Sequence, residues 1–270
     1  MPKLRNSIYC TASLLALVAC GQSEPTNTAP AQTNEAEQTE QAPQPDSASA
    51  VLELAGQHAA QVLQISPEFA TSLGVSEEIG GNDYNSRLGQ YGFEASQIAR
   101  QLNEQFLQDI RTIDRSTLSG QAAITYDVLR DAYQTGARRN QFEFGGATPW
   151  GSGSPYIVTQ LTGPHLFLPR LLQTQQPLSS KEDAEAYLAR LSEFGRAFDE
   201  VGESIGADAA FGVVPPYFAL EGAVRSIAGF TSAAPEDNPL VTTFAAKLAD
   251  LNNVSDGDRE ALITLSLIHI

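Results

Sequence analysis

From Leu178 the chain reads LSSKEDAEAYLARLSEFGRAFDEVGESIG, and this stretch constrains the fold more than any other. Leu188, Leu191, Phe194, Phe198, Val201 and Ile205 recur every three or four residues. That spacing puts them on one stripe of a helix and on both faces of a strand, so it demands a helix packed on one side. Ser179 and Glu182 form an S-x-x-E pattern at its start, expected as a capping box in which the hydroxyl and the carboxylate satisfy free backbone N–H groups. Gly206 reads as the helix stop.

The same period recurs elsewhere. Val51, Leu54, Val62 and Ile65 mark a first amphipathic segment ending at Pro67, and Ile98, Leu102, Phe106, Ile110 and Ile113 mark a long helix with one apolar stripe. In STLSGQAAITYDVLRDAYQTGARR, Ile124, Val128 and Ala132 fall on one line and are expected to face the core. Asn238 and Pro239 open a further helix carrying Leu240, Phe244 and Leu248, with Pro at its first position. Ser255 is a plausible N-cap for a last helix whose stripe begins with Ala261, Leu262 and Leu265. Between these lies FGGATPWGSGSPYIVTQLTGPH, Phe144 to His165, rich in Gly and Pro and holding the only Trp; it reads as a loop or a short β-ribbon. The expected class is mainly α.

Charge narrows the function. The chain has 16 basic and 32 acidic residues, a formal net charge of −16, and no Lys or Arg between Arg5 and Arg87. Nucleic-acid binding needs a basic footprint, and an anionic membrane surface attracts only basic ones, so neither partner is expected through charge. The N-terminus offers another route to a membrane. Lys3 and Arg5 precede a short apolar run, Leu14 to Ala19, which is a signal-peptide layout and too short to span a bilayer. LVAC, Leu17 to Cys20, resembles the lipobox of bacterial lipoproteins. By that resemblance residues 1–19 are a signal peptide, Cys20 becomes the lipidated first residue, and Gly21 after it favours the outer membrane, facing the periplasm. With Cys10 lost in the signal and Cys20 consumed by lipid, the folded part has no thiol for a disulfide, metal site or nucleophile. Residues 20–49, Gln-, Thr-, Pro- and acid-rich with almost nothing to bury, read as a disordered tether. The helical domain is expected over residues 50–265.

No complete active site is legible. GESIG, Gly202 to Gly206, matches the G-x-S-x-G nucleophile elbow, but that motif needs a strand before Ser204, and here an amphipathic helix precedes it. His58, His165 and His269 share no ligand spacing, so neither a catalytic residue nor a metal ligand is assigned, and no cofactor is expected in this chain. Trp150, Tyr156 and His165 in the Gly-rich segment are the candidates for lining a substrate groove, because loops on rigid scaffolds carry function.

Four blocks, SPEFATSLGV, PYIVTQLTGPHLFLPRLL, PLSSKEDAEAYLARLSEFGRAFDEV and GVVPPYFALEGAVRSI, together resemble the bacterial family called domain of unknown function 885. The resemblance covers residues 50–249 and implies a secreted or lipid-anchored, mostly helical protein around twice this length. It further implies that the present chain is the N-terminal half of a zinc-peptidase-like hydrolase with a peptide substrate. That family's second half is similar to zinc peptidases carrying H-E-x-x-H, a motif absent from this sequence, so the chain alone is expected to be inactive. The ending LSLIHI resembles translated sequencing-adapter sequence, which would make residues 266–270 artefactual. The alternative reading is a non-catalytic envelope lipoprotein that binds a peptide or protein partner through the Trp150 to His165 segment.

Overall fold

The computed structural model of the protein describes residues 47–151 and 153–270. The signal peptide, Cys20 and nearly all of the tether lie outside the described residues. What is described is helical, with no strand among those residues. The helices are α1 (Ser47–Ile65), α2 (Pro67–Leu73), α3 (Glu77–Gly80), α4 (Phe93–Arg111), α5 (Gly120–Arg139), α6 (Pro164–Thr174), α7 (Lys181–Ser192), α8 (Phe194–Ala210), α9 (Tyr217–Thr231), α10 (Pro239–Ala249) and α11 (Asp256–His269). The first thus begins three residues ahead of the expected domain start.

Two apolar groups hold them. In the first, α1 lies against the α4–α5 hairpin and buries Val51, Phe106, Ile110, Tyr126, Leu129 and Tyr133. In the second, α6, α7, α8, α10 and α11 converge on Leu168, Tyr187, Leu191, Phe244, Leu248 and Leu262. Each fully buried Leu or Phe contributes about 1.5–3 kcal/mol. Tyr187 adds a stacked contact with Phe244 at 4.6 Å and donates its hydroxyl to the Leu240 carbonyl at 3.0 Å. Between the groups runs a short strap, residues 84–91, whose Leu88 is buried in the second group while Tyr84 packs with Leu63 and Ala70 below α1.

Several expectations are met by particular atoms. Ser255 caps α11 by accepting the Asp258 N–H at 3.1 Å, and Asn238 caps α10 by accepting the Leu240 N–H at 3.0 Å, with Pro239 in the first turn. Others are corrected. The long stretch from Leu178 is two helices, broken at Glu193, and the cap sits one residue later than expected: Ser180 accepts the Asp183 N–H, while Ser179 donates to the Asp183 carboxylate. Gly206 does not stop α8, which runs one more turn to Ala210. On α5 the expected stripe is on the wrong side. Ile124 and Val128 are 56% and 43% exposed, and the buried side carries Ala122, Ala123, Tyr126, Leu129 and Tyr133. Small side chains let α5 approach α1 and α4 closely, so alanines and glycine mark the interface better than the largest aliphatics do. The described residues of the Gly-rich stretch form a loop, not a ribbon, as far as Gly163, after which Pro164 and His165 open α6. α11 continues through the last residues, with Ser266 fully buried.

One face stays open. Phe211, Val214, Tyr217, Phe218 and Val224, at the end of α8 and on α9, are each more than half exposed, and α9 buries only Ala223. So many exposed large apolar side chains in one stretch of chain make it a candidate interaction surface.

His58, to which the sequence assigns no ligand role, is buried in the first core. Its ring stacks on Phe106 at 3.9 Å, Nε2 lies 3.3 Å from the Asp109 carboxylate and Nδ1 2.9 Å from the Tyr133 hydroxyl. A carboxylate only accepts, so Nε2 carries the proton and Tyr133 donates to Nδ1. Burial lowers the imidazole pKa below its ordinary value, against the opposing pull of Asp109, and burial lowers that of His165 too. On acidification the unfolded chain therefore takes up protons first, so stability is full above pH ~6.5 and declines below it. Urea midpoints should fall between pH 7.5 and 5.5, and His58→Gln should flatten that fall; an unchanged slope would assign it to other groups.

Candidate functional site

A cleft of about 470 Å³ opens where the two helical groups meet. Its floor is the junction of α1 and α2, Gln64 to Pro67, and one wall is the strap from Arg87 to Tyr91. The opposite wall is the start of α4, including Ser96 and Ile98, with Gly146 to Trp150 and Ile157 over it. That volume lies in the range of small-ligand and peptide pockets.

Each wall has its own fastening. The strap is clamped from behind by Arg190 on α7, which is fully buried. Its guanidinium donates to the carbonyls of Arg87 (2.8 Å) and Tyr84 and to the Gln176 side-chain oxygen (2.5 Å). Gln176 in turn donates to the Asn85 carbonyl at 2.8 Å. Burial lowers the Arg190 pKa to about 10, which still leaves it charged at neutral pH. The lower strap is held by Glu68 in the first turn of α2. Its carboxylate accepts the Gly89 N–H and the Tyr91 hydroxyl, each at 2.7 Å. Burial, then the Glu68 charge, pushes the Tyr91 hydroxyl pKa well up, so Tyr91 stays a neutral donor.

Glu200 on α8 accepts the Tyr91 N–H at 2.7 Å and pairs with Arg196 at 2.7 Å. Burial pushes the Glu200 carboxyl up, but those two donors outweigh it and hold it below the usual range. Arg196 also donates to the Gly89 carbonyl.

The overhanging loop is fastened to the α4–α5 hairpin. Fully buried Asn103 donates to the Pro149 carbonyl at 2.9 Å, and Arg139 donates to the Gly146 carbonyl at 2.7 Å. Gly151 sits at φ +83°, where a Cβ would fall 2.1 Å from the Ala132 carbonyl oxygen on α5. Only glycine allows that approach. Trp150 is thereby set against Phe69, ring centroids 5.9 Å apart.

Of the three groove candidates from the sequence, Trp150 lines the cleft; Tyr156 and His165 do not, although Ile157, next to Tyr156, does. His165 lies in the first turn of α6, with both ring nitrogens buried and without a hydrogen-bond partner among the described residues. Ser204, the serine of the apparent elbow, is inside helix α8 and far from any strained strand-to-helix turn. Sequence reasoning missed Arg87, Glu68, Tyr91, Arg190 and Glu200. Glu68, Arg190 and Glu200 lie inside the family-like blocks but look there like ordinary solvated charges, Arg87 and Tyr91 lie outside any block, and the contacts joining them span up to 109 positions in sequence.

Among the described residues the cleft lining has no carboxylate and no histidine, so none of them offers a carboxylate–histidine acid–base pair there. Among the described residues no group of three or more His, Cys, Asp or Glu stands close enough to hold a metal ion, and no helix is long and apolar enough to cross a membrane.

No curated protein matches the chain. Among solved structures, the crystal structure of "the putative lipoprotein from Colwellia psychrerythraea" is similar, with a TM-score of 0.69 and 26% identity. The match covers 83% of this chain and 38% of that one, so the present chain spans well under half of its relative's length. The model of the bacterial family of proteins of unknown function called DUF885 matches residues 67–265, most of the chain and both walls of the cleft, and the protein belongs to that family.

Proposed function

We propose that this chain is the substrate-holding part of an envelope-anchored, peptidase-like hydrolase, and that the cleft beneath Trp150 receives an extended peptide. The carrying observation is the lining itself: aromatic and aliphatic side chains such as Trp150, Tyr91, Ile65 and Ile98, a few uncharged polar ones and, among the described residues, no acid–base pair. Such a surface binds and orients but does not break bonds. The family resemblance implies zinc chemistry in longer members. The described residues do not fit a zinc site, because His58 is committed to Asp109 and Tyr133 and no donor set converges elsewhere. The hydrolytic step is therefore not one these side chains perform.

Trp150 is the only Trp in the chain and reports on the cleft directly. Titration with N-acetylated Ala-Phe-Ala should shift or quench its emission saturably, and Ile98→Glu, which puts a charge in the lining, should weaken the effect about tenfold. A linear, non-saturating response would reject the cleft as a binding site. Anchoring through lipid on Cys20 rests on LVAC and on the description of the Colwellia relative. Cys20→Ser should move the protein from the membrane fraction to the soluble one; continued sedimentation with membranes would remove the lipid anchor from this reading.

The open apolar face on α8 and α9 favours a second reading, a non-catalytic lipoprotein that binds a protein partner. Chelator-sensitive peptide hydrolysis by a longer form of the protein would exclude it.

A further inference from the structure

We infer that the cleft selects ligands carrying a carboxylate, which Arg87 receives at its rim. This rests on the peptide-binding reading of the cleft and names the chemistry it prefers. The chain carries twice as many acidic as basic residues, yet the only side chain of fixed charge lining the cleft is a cation, Arg87. The residue is exposed and makes no ion pair among the described residues.

None of the neighbouring carboxylates pairs with Arg87 among the described residues, and Glu77 beside Gly81 accepts the Asp83 N–H. Glu68 holds the Gly89 N–H and the Tyr91 hydroxyl, and Glu193 and Glu200 both pair with Arg196. Those negative charges are spent on these bonds, and Arg87 is the one charged residue of the cleft lining among the described residues.

Its position is fixed from the backbone side. The Arg87 carbonyl accepts from buried Arg190, which pins the residue. The side chain lies over Gly81, where a Cβ would come 3.1 Å from the guanidinium; Gly81 at φ +86° leaves that space open. A planar guanidinium presents paired N–H donors that match the two oxygens of a carboxylate, and such charge-assisted pairs are stronger than neutral hydrogen bonds. A largely apolar, aromatic lining with one cation that has no ion pair among the described residues therefore suits a peptide with either a free C-terminus or an acidic side chain.

The test uses Trp150 emission and three probes: N-acetylated Ala-Phe-Ala with a free C-terminal carboxylate, the same peptide as its amide, and N-acetylated Ala-Phe-Glu amide. The expected result is that one or both carboxylate peptides bind about 5- to 10-fold more tightly than the neutral amide. The comparison between the two acids shows whether the C-terminus or a side chain is read. Arg87→Gln, at an exposed side chain whose carbonyl bond to Arg190 survives, should reduce the acids to the affinity of the amide. Arg87→Lys should retain part of the preference, and raising salt should shrink it. Equal binding of the amide and the acids, or an Arg87→Gln variant that keeps the preference, overturns the inference while leaving the cleft reading intact. Binding of none of the three overturns both.

Discussion

Replacing Arg190 with alanine is expected to destabilise the protein by about 3–5 kcal/mol, the cost of breaking a buried, hydrogen-bonded charge network. The guanidinium is fully buried and serves three acceptors, the carbonyls of Tyr84 and Arg87 and the side chain of Gln176. Removing it leaves each of these without its donor, at about 1–3 kcal/mol for an acceptor that stays dry, and leaves a cavity between α7 and the strap. The effect on the site should exceed the effect on the rest of the fold, because the strap is one wall of the cleft. Arg190→Lys keeps the charge but not the fork that spans three acceptors, so it should fall between alanine and wild type. Urea unfolding with an unchanged slope checks both. A loss for alanine below about 1 kcal/mol would show that the strap holds without the clamp.

Gly151→Ala should cost about 3 kcal/mol and detach Trp150 from the cleft. The added methyl group meets backbone on both sides, the Ala132 carbonyl at 2.1 Å and the Gly136 nitrogen at 2.8 Å, and neither can yield without moving α5. The residue would also have to hold φ +83°, a conformation L side chains rarely adopt. The loop should therefore lift off the α4–α5 hairpin, breaking the bond from Asn103 to Pro149 and releasing Trp150 from Phe69. The signature is a red-shifted Trp emission, a lower Tm and loss of saturable peptide binding. Gly146→Ala is the control, since a Cβ there meets nothing within 4 Å, and it should change stability by no more than about 0.5 kcal/mol. Equal behaviour of the two variants would mean that the close approach at Gly151 does not position the loop.

The helical class was legible because helix period, caps and punctuation are local. Ser255, Asn238 and Pro239 act within a few residues of themselves, and the structure uses them as read. The errors share one cause. The stripe on α5 was assigned by the bulk of Ile124 and Val128, whereas the interface is set by how closely helices approach, and that depends on Ala122, Ala123 and Gly136. Trp150 could be singled out by composition alone, as the one Trp in a Gly-rich loop. Arg190 and Glu68 could not, because within their own helices they look like ordinary solvated charges.

Sequence by itself thus determined the mainly helical class, the segments that become α1, α4, α5, α7, α8, α10 and α11, the strongly acidic charge balance, and which family the blocks belong to; α2, α3, α6 and α9 were not read from it. Tertiary structure alone decided that the strap, the start of α4 and the Gly-rich loop line one cleft, that Arg190 is buried beneath the strap, and that Arg87 is the one charged residue in that lining among the described residues. The physical reason is distance along the chain. Hydrogen bonds inside a helix join neighbours whose identities can be read together, while the bonds that build the cleft join residues as far apart as Tyr91 and Glu200, whose pairing exists only once the helices have packed.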